Sequence, residues 1–96
     1  MLSLDELRQR RADILRIAAK HGAGDVRVFG SLVRGEARED SDVDLLVRMD
    51  EDRSLLDRIG LMQELEDVLQ CKVEVVNERA LHRLLRDRVL AEGVAL

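Results

Sequence analysis

The sequence contains no proline, tryptophan or tyrosine, and only one phenylalanine and one cysteine among its 96 residues. With no proline, low-complexity tract or internal repeat, nothing marks a linker, and residues 1–96 read as a single domain. Phe29 is the sole aromatic, so the core is expected to be aliphatic. A lone Cys71 excludes an internal disulfide, and at the head of an apolar segment it reads as a small buried residue rather than a nucleophile. His21 and His82 have no second histidine or cysteine at ligand spacing, which argues against a zinc-type site. No apolar run is long enough to cross a bilayer, and Asp5 and Glu6, close behind Met1, do not suit a signal peptide. The expected location is the cytoplasm, with no membrane partner.

Charge of one sign is also scarce as a patch. Sixteen basic residues face twenty acidic ones for a net charge of -4, and the arginines are interspersed with acids. Sequence-independent nucleic-acid binding needs a basic face to neutralise phosphates, so no direct nucleic-acid contact is expected. Arg79, Arg83 and Arg86 recur at helical spacing, which suits a solvated face or a contact with an acidic partner or a phosphate.

An apolar fraction of 46% is enough for one small core. Ser3 and Glu6 form a capping-box pattern, and Leu4, Leu7, Ile14, Leu15 and Ala18 predict one helix running until Gly22. Strands are predicted at residues 25–29, 43–48 and 72–76. A second long helix, its start suited by the acids at 50–52, carries Leu55, Leu56, Ile59, Met62, Leu65, Val68 and Leu69 as its stripe. Gly60 within it costs about 1 kcal/mol relative to alanine. Asn77 is placed to cap a last helix bearing Leu81, Leu84, Leu85 and Val89. The helix between the second and third strands is long enough for a crossover, so those strands should run parallel.

Chemistry concentrates in residues 28–47. Asp42 and Asp44 lie two apart on an apolar strand, and because strand side chains alternate faces both carboxylates point the same way. Two like charges beside an apolar run are costly unless a cation neutralises them, and hard ions such as Mg²⁺ favour carboxylate oxygen. The bland alternative is that Ser41 and Asp42 cap a turn while Asp44 faces water. Upstream, a strand ends in Gly30 and Ser31 at the start of a short helical segment, residues 32–37. Gly30 allows close backbone approach to a phosphate, Ser31 offers a hydroxyl, and free N–H groups of the first turn face the anion. An ordinary serine cap would look the same in isolation. A phosphate-binding turn so near a metal-binding strand suggests a site for a metal-bound nucleoside triphosphate.

This pattern resembles the minimal nucleotidyltransferases of the DNA polymerase β superfamily. Their motif is Gly-Ser, a nearby Arg-Gly, then Ser-Asp-x-Asp-Leu, here Gly30, Ser31, Arg34, Gly35, Ser41, Asp42, Val43, Asp44 and Leu45. The resemblance implies a small α/β, polymerase-β-like fold with a mixed sheet flanked by helices. It also implies a third carboxylate on a later strand, for which Glu74 is the candidate; alternation puts it on one face with Lys72 and Val76. The family usually has aspartate there. The longer side chain displaces the carboxylate by about 1 Å, and misplacement on that scale can slow an oriented reaction about a hundredfold. Glu74 could instead be a solvated strand residue paired with Lys72 or an arginine. Arg34 sits beside the cleft in the motif, or pairs with Glu36, Glu39 or Asp40.

The mechanism the resemblance implies is two-metal transfer. Asp42, Asp44 and Glu74 hold two Mg²⁺ ions, Gly30, Ser31, Arg34 and Ser41 contact the nucleotide, and ATP is the substrate. Proteins of this family and size are commonly antitoxins that transfer AMP to a tyrosine of a HEPN-domain toxin. The competing expectation is an antitoxin with weakened chemistry that silences its partner by stoichiometric binding. Transfer to a small molecule is poorly supported without an added substrate domain.

Overall fold

The computed structural model describes residues 2–36, 38 and 42–96. Two helices, α1 (Leu4–Gln9) and α2 (Arg11–Lys20), precede strand β1 (Ala23–Phe29) and a single helical turn, α3 (Ser31–Arg34). Strand β2 (Val43–Met49) leads through helix α4 (Leu55–Leu69) to β3 (Val73–Asn77). A 3-10 turn (Glu78–Ala80), helix α5 (Arg83–Glu92) and a two-residue strand β4 (Val94–Ala95) complete the chain.

The sheet has the order β3-β2-β1-β4. β2 and β3 run parallel through the α4 crossover, as the length of that connection predicts, whereas β1 is antiparallel to both β2 and β4. The sheet is therefore mixed. Its inner face presents Val26, Val28, Val43, Leu45, Val47, Val73 and Val75 to Leu7, Ile14, Ile17, Leu61 and Leu65, all buried. Each such fully buried aliphatic side chain contributes about 1.5–3 kcal/mol, and the core contains no aromatic. The opposite face carries Arg27, Phe29, Asp44, Leu46 and Glu74, by strand alternation. Leu46 is fully buried there, apart from the main core cluster.

Several boundaries differ from the periodicity. The first predicted helix is two helices, because Arg10 leaves helical geometry at φ -97, ψ 12 and its N–H is shared between the carbonyls of Glu6 and Leu7. Its guanidinium donates across to the Val68 carbonyl of α4 at 2.9 Å, an anchor no local signal announces. α4 begins after the acids at 50–52, at a capping box: Ser54 Oγ accepts from the Leu56 N–H and Asp57 accepts from the Ser54 N–H. Leu55 and Leu56 consequently stand at the exposed start of the helix, 60% and 77% accessible, instead of in its buried stripe. Gly60 has a packing role, since a β-carbon there would press on the His21 ring at 3.2 Å. Asn77 caps only the 3-10 turn, and His82 caps α5 by accepting from the Leu84 N–H. Arg79 thus lies outside the helix that bears Arg83 and Arg86, so the three arginines do not form one helical stripe.

Candidate active site

Three sequence segments meet at one end of the sheet. Phe29, the last residue of β1, pairs with Asp44 near the start of β2, and Asp44 is in register with Glu74 of β3. Neighbouring strands lie about 4.8 Å apart, which sets Asp44 and Glu74 side by side on the outer face. Asp42 immediately precedes β2 and is exposed. Ser41, expected to contact the nucleotide, lies outside the described residues.

Electrostatics bind these positions together. The Asp44 carboxyl is held above the usual carboxylate range, first by its partial burial and then by the charges of Asp42 and Glu74. A divalent cation would relieve this repulsion, so the donor chemistry fits a hard metal. Among the described residues, no group of three His, Cys, Asp or Glu side chains stands at coordinating positions as placed. Side-chain rotation at the exposed Asp42 and Glu74 is what would gather a ligand set around Asp44.

The turn after β1 is built for close approach. Gly30 adopts φ 79, ψ -151, a region essentially restricted to glycine, and a β-carbon there would collide with Oδ2 of Asp44. Gly30, not Ser31, caps α3, so Ser31 is the first residue of a four-residue turn that ends at Gly35 in the left-handed conformation. Of the helical segment expected over residues 32–37, the helical part ends at Arg34, and residue 37 lies outside the described residues.

Of the partners expected for Arg34, Glu36 pairs with it at 3.1 Å while Glu39 and Asp40 lie outside the described residues, and a second pair forms with Glu92 at 2.6 Å. Glu36 first, then Glu92, hold the guanidinium protonated above its ordinary range. The same Glu92 oxygen accepts the Gly30 N–H at 3.1 Å. Glu92 is the residue sequence reasoning missed. It is the last residue of α5, set beside Gly30 by the pairing of β4 with β1, and the two residues of β4 are too few to show periodicity.

Other features lie elsewhere. A hollow of about 360 Å³ lined by Arg53, Ser54, Leu55, Arg58, Val76, Asn77 and Ala80 opens at the far end of β3. It holds no carboxylate, and its arginines are engaged by Asp57 and the Val75 carbonyl. Cys71 is half-buried and its thiol is pushed up by that burial, as befits a packing residue. His21 bonds Glu64 at 3.0 Å. Among the described residues, no helix is long and apolar enough to cross a membrane.

The chain is similar to known proteins over nearly its whole length. A solved structure assigned as a minimal nucleotidyltransferase superposes with a TM-score of 0.88 and 52% identity, covering 99% of this chain and 97% of that one. The protein adenylyltransferase MntA of Thermococcus cleftensis is 41% identical over 95 residues, 98% of this chain and 96% of the relative. A chain in the complex of a tri-AMPylated Shewanella oneidensis HEPN toxin with MNT antitoxin shares the fold, with a TM-score of 0.70 at 20% identity, over 92% of this chain and 69% of that chain. The family model described as nucleotidyltransferase domain matches residues 4–96. The chain belongs to the nucleotidyltransferase domain family of enzymes.

Proposed function

We propose that this protein transfers AMP from ATP to a tyrosine hydroxyl of a partner HEPN toxin, in the presence of Mg²⁺, and so acts as an antitoxin. The observation that carries the reading is the register of Asp44 with Glu74, set against a Gly30 turn that makes room for the Asp44 carboxylate. The whole-length likeness to a protein adenylyltransferase supports the AMP donor, and the fold shared with a toxin–antitoxin complex supports the partner.

Asp42, Asp44 and Glu74 are the residues that would hold Mg²⁺, two ions on this reading. Bound metal supplies charge neutralisation and Lewis acidity at the phosphates. Gly30 through its N–H, Ser31 through its hydroxyl and Arg34 through its guanidinium bind the β- and γ-phosphates, with Ser41 a further nucleotide contact. The acceptor oxygen attacks the α-phosphorus and forms a new P–O bond. The bond from that phosphorus to the bridging oxygen breaks, and pyrophosphate leaves with the electron pair. The acceptor proton passes to the Glu74 carboxylate as general base. Glu74 is exposed, so packing does not prevent its longer side chain from adjusting toward the acceptor.

A second reading is favoured by one observation: the Gly30 N–H and Arg34 are already engaged by Glu92. On that reading the chain neutralises its toxin by stoichiometric binding. Incubation of protein and toxin with Mg²⁺ and ATP labelled at the α-phosphate separates the two. Label on the toxin, lost in Asp44→Asn and altered in rate in Glu74→Asp, is the expected result. Tight complex formation and silencing without label would replace catalysis by binding.

A further inference from the structure

We propose that Glu92 is a reversible occupant of the phosphate-binding turn, an internal anion that a triphosphate must displace, and that it thereby sets the nucleotide affinity of the site. This inference rests on the nucleotidyl-transfer reading above.

The placement follows from strand register. β4 pairs with β1 antiparallel, Val28 opposite Val94. Two residues onward along β1 and two back from β4 bring Gly30 opposite Glu92. One oxygen of Glu92 receives both the Gly30 N–H, at 3.1 Å, and the Arg34 guanidinium, at 2.6 Å. These are two of the donors assigned to the triphosphate. Carboxylate and phosphate oxygens are equivalent acceptors for such donors, and the Gly30 N–H serves one strong acceptor at a time. A bound triphosphate and the present Glu92 position therefore exclude one another.

The element bearing Glu92 is suited to yield. No residue of α5 is fully buried, and Leu84 and Leu85 are 70% and 49% exposed. At its C-terminal end the helix is tied to the sheet by β4 and by Glu92. Release of the carboxylate needs only rotation of a side chain that is one-third exposed, with no disruption of the core. Glu92 also brings negative charge to the turn against which Asp44 packs, so its departure reduces repulsion of the incoming anion.

The test compares the full chain with Glu92→Gln and Glu92→Ala. It measures calorimetric affinity for a non-hydrolysable ATP analogue with Mg²⁺ and for inorganic triphosphate, exchange of the Gly30 amide, and KM and kcat separately. Closure of the site by an internal competitor lowers apparent affinity by the open fraction, so removing it should tighten both ligands about three- to tenfold. The Gly30 amide should exchange faster, and the gain should fall on KM, where a merely structural role would lower stability and kcat together. Glu92→Gln keeps the side-chain volume and guards against misfolding in Glu92→Ala. Unchanged or weaker binding in the folded glutamine variant overturns the inference while leaving nucleotidyl transfer standing. Failure of wild type and both variants to bind any triphosphate overturns the transfer reading and this inference with it.

Discussion

The Asp44 carboxylate fills the space that a β-carbon on Gly30 would require, so the turn and the aspartate strand are fitted to each other at a single point. Gly30→Ala must both leave φ 79, ψ -151 and push Asp44 aside. The strain should cost about 1–3 kcal/mol of stability. Displacement of the carboxylate by about 1 Å should lower AMP transfer about a hundredfold. Urea titration and labelled-ATP turnover measure the two losses. A normal rate would show that the position of Asp44 is not critical.

Asp44→Asn should separate stability from activity. The folded-state pKa of Asp44 lies above its unfolded value, chiefly through burial and then through Asp42 and Glu74. For a raised pKa, the favourable contribution is fully present below the unfolded pKa and lost as pH rises through the folded one. At neutral pH the ionised group is therefore a net burden, which asparagine removes. Melting temperatures measured against pH should place the variant level with or above wild type at neutrality, the gap closing in acid, while transfer is abolished. A variant less stable than wild type throughout would contradict this.

Divalent cation should stabilise the fold by relieving the same repulsion. At a free Mg²⁺ concentration a hundredfold above its dissociation constant, linkage gives about 2.7 kcal/mol. A thermal melt with and without Mg²⁺ should show the rise in wild type, its reversal by a chelator, and its attenuation in Asp44→Asn. Equal responses in both proteins would place metal binding elsewhere.

Ser54→Ala serves as a control far from the carboxylates. Loss of the hydroxyl that caps α4 should cost about 1 kcal/mol and leave transfer unchanged. The pH dependence at this helix belongs to Asp57, held below the usual carboxylate range first by the Ser54 N–H and then by Arg53. A lowered pKa gives stability that is present above the unfolded pKa and is lost as pH falls through the folded one. Asp57→Asn should flatten the acid limb of the stability curve, measurable by urea midpoints from neutral to acid pH.

Much of the fold was legible because its strands are short aliphatic runs between polar segments and α2 and α4 carry buried stripes. The parallel pairing of β2 and β3 followed from the length of α4 alone. The turn at Gly30 and the Asp44 strand are local features and were read directly, whereas Glu36 was one of three partners open to Arg34. Helix ends were harder. The break falls at Arg10, whose side chain bonds a carbonyl of α4, 58 residues away, and Gly60 packs against the ring of His21. His82 was read as an ordinary polar residue near a helix start, yet it supplies the cap.

The sequence by itself determined the aliphatic core, the order of the three longer strands and of the helices between and after them, and the local chemistry of the Gly-Ser turn and the aspartate pair. These are properties of composition and of spacing within about one turn or strand. Parallel pairing led one to expect Glu74 beside the aspartates, but only tertiary structure decided its register with Asp44, and that pairing of β4 with β1 sets Glu92, the last residue of α5, on the Gly30 N–H. Both are pairings across strands, fixed by hydrogen-bond register between segments 30 or more residues apart in the chain. No periodicity along one segment encodes which residue of another will face it.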